Sequence, residues 1–290
     1  MSTGDLPGDA ARALIAGTRR TDMWRATRVA ESSLAPDWPA PPGVRALTTL
    51  RGPHGDSRGA YAHFNLGARA GDDPANVDNN RFDLVDGAAL PSWPYWLHQV
   101  HGTRVLRVDR PVHAPGRRRK APDEPEADAA VTTAAGVVLV ILSADCLPVL
   151  IAARDGSSVA VAHAGWRGLA AGVLEATVAA VRTAPAELVA WIGPGIGAGS
   201  YEVDARVHAA FVDADADAAH AFRATRPDHW LCDLPALARM RLQRAGVTAV
   251  HGGGYDTFRD ARFYSYRRDG ATSGRMATLI WREMGAEGGK

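Results

Sequence analysis

A chain of 290 residues with 46% hydrophobic side chains can bury a sizeable core, which excludes disorder throughout. Thirty-three Lys and Arg against thirty-two Asp and Glu leave a formal charge of +1. No overall field then gathers nucleic acid or an anionic membrane, and small polar substrates are the expectation. With only Cys146 and Cys232, and no basic-then-apolar leader at the start, the sequence predicts a reducing, cytoplasmic setting.

Residues 1–40 mix Gly, Pro, Ser, Arg and Asp without a period and are predicted to be an extension that is flexible or laid across the surface. A catalytic domain is expected over 41–284 and a tail over 285–290. Residues 44–50 suit a strand, 51–60 a turn-rich loop and 61–66 a second strand. An Asp-Pro pair at Asp73-Pro74 opens a helix running through Phe82, Leu84 and Val85. Residues 107–128, with an RRRK run followed at once by acidic residues, read as a solvated loop of self-compensating charge. The longest apolar stretch, 136–153, approaches membrane-spanning length, but Asp145, Cys146 and Pro148 divide it into two elements. Its first half, 137–142, reads as a strand covered on both faces, and 158–162 as another. The second leads through His163-Ala164-Gly165-Trp166-Arg167-Gly168 into a helix with Leu169, Val173, Thr177, Ala180 and Val181 on one face. Residues 188–192 form a further buried strand, ending in Gly193-Pro194-Gly195-Ile196-Gly197. A helix over 234–245 closed by Gly246, a strand over 247–250 and a last strand over 275–282 complete a layered α/β pattern.

Cys146 falls where one buried strand ends and His163 at the matching end of the next, and strand ends are where α/β sheets expose their sites. Taken singly, such residues are more often a small buried hydrophobe and a satisfied core histidine; their joint placement points to a shared ion. In His98-Gln99-Val100-His101-Gly102, an extended chain sends the two imidazoles to opposite faces. Gly102 permits close backbone approach and favours His101 as the third ligand. Two imidazoles and a thiolate leave a tetrahedral zinc one open position, for a water whose pKa falls toward about 7. The same donors accept copper, so zinc is expected and copper is the alternative. Arg167, at a glycine-flanked turn, either holds an anion such as phosphate or pairs with a carboxylate. Asp145 either acts as a general base or orients a histidine. The Gly193 to Gly197 stretch matches neither a P-loop nor a dinucleotide fingerprint and is read as a loop.

Five ordered motifs carry a resemblance: Gln99-Val100-His101-Gly102, Ala144-Asp145-Cys146-Leu147-Pro148, Ala162 to Gly168, Gly193 to Gly197 with Tyr201-Glu202-Val203, and Tyr264-Ser265-Tyr266-Arg267-Arg268-Asp269. Asn65-Leu66-Gly67, Gly71-Asp72-Asp73 and Asn80-Arg81 extend it. The chain, from about Val44 to Trp281, resembles the bacterial multicopper polyphenol oxidoreductase (laccase) family, also called the YfiH-like purine nucleoside phosphorylase family. The resemblance implies a single-domain α/β sandwich of mixed sheets with flanking helices, and zinc on His101, Cys146 and His163. It further implies phosphorolysis or deamination of purine nucleosides such as adenosine, inosine, guanosine and methylthioadenosine. In that frame Asp145 and Arg167 are catalytic, and Arg51, Asn65 and Tyr264 contact substrate. The expected partners are a purine nucleoside and phosphate, met by a monomer without nucleic acid or membrane. Gly199-Ser200 and Gly254 stand where relatives often carry cysteine, and residues 51–55 depart from the usual loop. These departures bear on substrate detail and leave the metal triad intact. Three other readings compete: a copper-dependent phenol oxidase, for which three convergent ligands are few; a metal-free Cys146/His163 hydrolase; and a non-enzymatic peptidoglycan-editing or interaction factor whose metal only holds the fold.

Overall fold

The computed structural model describes Thr27, residues 29–113 and residues 123–284. In chain order these form β1 (Ser33–Leu34), β2 (Val44–Thr49), α1 (Pro74–Gly87), β3 (Val105–Arg107), β4 (Ala129–Thr132), β5 (Val138–Ser143), β6 (Leu147–Ala153) and β7 (Val159–Ala164). There follow α2 (Trp166–Ala171), α3 (Val173–Val181), β8 (Leu188–Ile192), β9 (Glu202–Asp204), α4 (Ala205–Val212), β10 (Phe222–Arg226) and β11 (His229–Cys232). The chain closes with α5 (Leu234–Arg244), β12 (Ala249–Gly252), α6 (Tyr266–Asp269) and β13 (Met276–Arg282).

Successive side chains of a strand leave opposite faces of its sheet, so an apolar run must be covered on both sides. Val138 and Val140 of β5 join a cluster with Phe82, Leu84 and Val85 of α1, whereas Leu139 and Ile141 meet Leu150, Val161 and Trp191. Leu147, Val149 and Ile151 of β6 face the other way, onto Leu169, Leu174, Leu237 and Leu242. The alternation produces four layers: α1, an antiparallel sheet ordered β1-β2-β13-β5, a mixed sheet ordered β12-β8-β6-β7-β4-β3, and the helices α2 to α5. This is the α/β sandwich of mixed sheets with flanking helices. The chain passes from the first sheet to the second in the three residues between β5 and β6, Ala144-Asp145-Cys146.

Asp73 caps α1 by accepting from Ala75 N, with Pro74 in the first turn. The helix expected after His163 is broken at Gly172, whose φ of 97° closes α2 and starts α3 in a new direction. Two further expectations are corrected. Residues 61–66 form no strand: the carbonyls of His63 and Asn65 accept from the Asn80 side chain, and the amides of His63 and Phe64 donate to Arg51 O. Backbone groups that a ladder would need are already engaged there. The acidic end of the 107–128 segment is solvated only in part: Asp123 and Glu126 are exposed, but Glu124 pairs with the buried Arg81 and Asp128 has no exposed surface; residues 114–122 lie outside the described residues. Of the extension expected over 1–40, the described residues from Val29 onward lie against the fold: Val29 is buried, β1 pairs with β2, and Asp37 accepts from Trp191 Nε1 at 2.5 Å. Residues 1–26, Arg28 and 285–290 lie outside the described residues. The antiparallel sheet ordered β10-β11-β9 was not expected, since its short, half-exposed strands carry no apolar run. Among the described residues no helix is long and apolar enough to cross a membrane.

Leu150 lies fully buried between the two stacked sheets. Leu150→Ala is expected to lower the unfolding free energy by about 2–5 kcal/mol in urea titration; a loss under about 1 kcal/mol would contradict the stacking of these sheets.

Candidate metal centre

The crossing between the two sheets forces Cys146 beside His163. β6 and β7 run antiparallel with Pro148 opposite His163 and Leu147 opposite Ala164, so the residue before Leu147 emerges next to the end of β7. The third side chain arrives on an irregular segment, and His101 itself sits in the left-handed region at φ 63°. That segment is gathered by one carboxylate. Asp128 accepts from the amides of Val100, His101 and Gly102 at 3.1, 2.9 and 2.7 Å. The same carboxylate accepts from His163 Nδ1 at 2.9 Å, which fixes that ring and leaves Nε2 facing the other ligands.

One ligand atom from each of His101, Cys146 and His163 lies within 4.8 Å of the other two. Cys146 Sγ is 3.7 Å from His101 Nε2, close to the roughly 3.6 Å that separates sulfur and nitrogen on a tetrahedral zinc. The two imidazoles meet edge to face with centroids 4.7 Å apart. Space for this approach comes from Gly165, where a Cβ would stand 2.7 Å from His101 Cδ2 and 2.8 Å from Cys146 Sγ. The donor set, its spacing and the locked His163 tautomer fit a divalent metal with nitrogen and sulfur preference. His98 takes no part in the cluster; its backbone pairs with the chain around Glu126, its amide donating to Pro125 O and its carbonyl accepting from Ala127 N.

The electrostatics favour deprotonated sulfur. Burial acts to raise the Cys146 thiol, but the adjacent His163 charge and the hydrogen bonds from both histidines outweigh it and bring the pKa to about 6. Burial pulls His163 down, yet the Cys146 thiolate and the Asp128 carboxylate together lift it to about 9. Asp128 is itself desolvated, and the His163 and backbone hydrogen bonds hold it below the usual carboxylate range.

The triad opens onto a cavity of about 570 Å³ that is also lined by Gln99, Trp166, Tyr201, Tyr266 and four arginines: Arg69, Arg167, Arg267 and Arg275. Asp145 lines it too, at φ 86°, with each oxygen already accepting one bond: Oδ1 from Thr257 Oγ1 at 2.7 Å and Oδ2 from Arg267 N at 2.6 Å. Its carboxylate therefore ties the Cys146 turn to the start of α6. The Gly193 to Gly197 loop buttresses the same turn, since Ile196 N donates to Asp145 O and Thr257 N to Gly195 O. Arg167 is exposed at the cavity, stacked over its neighbour Trp166 at 4.7 Å. Arg51, Asn65 and Tyr264 are not among the lining residues. Arg51 Nε donates to Ala62 O, Asn65 accepts from the amides of Gly67 and Arg275, and the Tyr264 hydroxyl donates to Tyr61 O. Asp128 and Arg275 went unnoticed in the sequence, and Gln99, Tyr201 and Arg267, although inside quoted motifs, were given no role there. Asp128 had one signal, an acid directly before an apolar strand, but it stood at the end of a charged run that looked solvated.

Cys232 is fully buried, and burial pushes its thiol well up. In chelator-treated protein Cys146 is therefore expected to react with iodoacetamide at pH 7 and Cys232 not at all, with the Cys146 rate rising through a midpoint near pH 6. Added zinc should suppress that reaction. Equal labelling of both cysteines, or labelling of Cys146 unaffected by zinc, would contradict the site as described.

Comparison with known proteins agrees with this architecture. Residues 45–283 match the family described as multi-copper polyphenol oxidoreductase laccase. A Xylella fastidiosa protein named purine nucleoside phosphorylase is 56% identical over 254 residues, covering 86% of this chain and 96% of the relative. The Escherichia coli protein named purine nucleoside phosphorylase YfiH is 44% identical, covering 86% and 98%. A Neisseria meningitidis crystal structure superposes with TM-score 0.79 at 43% identity, over 87% of this chain and all of that one. From the matched span and these identities, this chain belongs to the multi-copper polyphenol oxidoreductase laccase family.

Proposed function

We propose that this protein is a zinc-dependent purine nucleoside phosphorylase that also deaminates adenosine. The observation that carries the reading is a two-histidine, one-cysteine cluster opening onto an arginine-rich cavity of about 570 Å³. Relatives named purine nucleoside phosphorylase, matched over 86% of this chain, support it. His101, Cys146 and His163 would hold the ion, which supplies Lewis-acid charge beside the reacting atoms when bound.

The chain's own groups have defined tasks. Asp128 holds His163 with its second nitrogen free, and keeps the His101 loop in place. Burial, and then the Cys146 charge, push the Tyr201 phenol well above its ordinary pKa, so Tyr201 keeps its proton and can donate into the cavity. The arginines draw an anion toward the triad. In phosphorolysis a phosphate oxygen bonds to C1′ of the nucleoside while the C1′–N9 bond breaks. Its electron pair leaves with the base, which is protonated on a ring nitrogen, and ribose 1-phosphate is the other product. In deamination water adds at C6 of adenosine, the bond to the amino nitrogen breaks, and inosine and ammonia leave. With Asp145 committed to Thr257 and Arg267, we assign it to positioning the Cys146 turn, and Arg167 to the anion.

Among the described residues this is the one cluster of three or more His, Cys, Asp or Glu ligands spaced for a metal. Multicopper oxidation of phenols asks for several copper sites, so the ligand count supports the nucleoside reading over the oxidase one. Cytoplasmic residence and monomeric action belong to the same proposal.

Zinc-loaded protein is expected to convert adenosine to inosine, and nucleoside plus phosphate to free base plus ribose 1-phosphate. His101→Ala should lower both rates by on the order of a hundredfold or more while the circular dichroism spectrum is kept. Product analysis by chromatography that finds neither conversion, or finds equal rates in His101→Ala, would overturn the proposal.

A further inference from the structure

The cavity carries more positive charge than its own acids answer. Of its arginines, Arg69 is paired with Glu124, 3.4 Å away. Among the described residues no carboxylate is paired with Arg167, Arg267 or Arg275. Arg267 and Arg275 instead spend one guanidinium nitrogen each on backbone carbonyls: Arg267 NH1 on Glu202 O, and Arg275 NH1 on Ser273 O and Gly274 O at 2.5 and 2.9 Å. An unpaired guanidinium half-sheltered from water is costly, and an oxyanion removes that cost. Arg267 is exposed and Arg275 half-buried, so the pair presents one deep and one shallow cation to the same cavity.

Arg275 is also the arginine whose position is most fully dictated. Its amide donates to Asn65 Oδ1 at 2.8 Å, and the same oxygen accepts from Gly67 N at 3.0 Å. Asn65 Nδ2 is held by Asp72 at 2.9 Å, and Asn80 grips Asn65 O at 2.9 Å. The side chain passes directly over Gly67, where a Cβ would stand 2.6 Å from Arg275 Cγ. Behind it the Tyr264 ring closes on Gly274, with 2.7 Å between that ring and a Cβ placed there. The motif residues Asn65 and Tyr264, absent from the lining, and Gly67, which lines the cavity, thus converge on Arg275. With NH1 tethered to two carbonyls, Nε and NH2 remain without a protein acceptor among the described residues, in the planar arrangement that suits two oxygens of one anion.

We propose that Arg275, assisted by Arg267, is the oxyanion fork of this cavity, receiving inorganic phosphate and the phosphoryl group of the sugar 1-phosphate, with Asn65 and Gly67 as its positioning residues. The inference rests on the phosphorylase reading for its substrate, but the binding site itself is testable apart from turnover. Arg275 and Arg267 touch the anion; Asn65 and Gly67 act only through Arg275.

The test uses the zinc-loaded full chain in two measurements: the phosphate KM of phosphorolysis, and calorimetric titration with inorganic phosphate. Arg275→Gln is expected to raise the phosphate KM at least about tenfold, as loss of a charged hydrogen-bond pair implies, with the nucleoside KM within about twofold and the metal content unchanged. Arg275→Lys should recover part of the loss, and Gly67→Ala, which displaces the side chain without removing its charge, should fall between. Should Arg275→Gln fail to fold, Arg267→Gln and Gly67→Ala carry the same comparison. An unchanged phosphate KM in these variants overturns the fork while leaving the phosphorylase reading standing. If the wild-type chain shows no phosphorolysis, that reading falls and calorimetry alone decides. Phosphate binding that Arg275→Gln weakens then upholds the fork, and wild-type protein that binds no phosphate, or a variant that binds it equally, overturns it.

Discussion

The Asp128 carboxylate accepts from three consecutive backbone amides, those of Val100, His101 and Gly102, and from His163 Nδ1, on a residue without exposed surface. A buried charge of this kind is tolerated only when its lone pairs are filled, and here the groups that fill them are the ones the site needs fixed. One bond sets the tautomer of His163. The others hold His101 in a left-handed conformation that a non-glycine residue adopts only when its surroundings demand it. Remove the carboxylate and two of the three ligands lose their orientation together, although neither is covalently altered.

The third ligand is placed by the stacking of the sheets. The chain leaves β5 in one sheet and enters β6 in the other within three residues, and Cys146 is the last of these. Asp145 turns the corner with positive φ and is anchored on one side by Thr257 and on the other by the amide of Arg267. The metal ligands and the arginine-bearing α6 are therefore mechanically joined through one side chain. Strands buried on both faces supply rigidity, and the short crossing supplies the half-buried sulfur at the cavity.

Much of the scaffold was legible because long apolar runs leave few choices. Strands β5, β7, β8 and β13 and helix α5 fall where their hydrophobic pattern places them, and the strand-end logic singled out Cys146 and His163. What escaped depends on tertiary gathering. Residues 61–66 are composed like a strand, yet Asn80 and Arg51 claim their backbone groups. Asp128 looks solvated in sequence because only the folded chain brings His101 and His163 to it. Arg275 lies 210 residues from Asn65, the side chain that fixes its backbone. Asn65 and Tyr264 belong to recognisable motifs and Arg51 to a loop that departs from the usual one, but none of the three lines the cavity.

The proposed chemistry requires His101, Cys146 and His163 to bind one ion in common. Diffraction from crystals of protein purified without chelator, collected on both sides of the zinc absorption edge, tests this most directly. A single anomalous peak is expected about 2.0–2.3 Å from one nitrogen of each histidine and from the Cys146 sulfur. An edge-dependent peak elsewhere in the molecule, or none between these three side chains in zinc-soaked crystals, would contradict it.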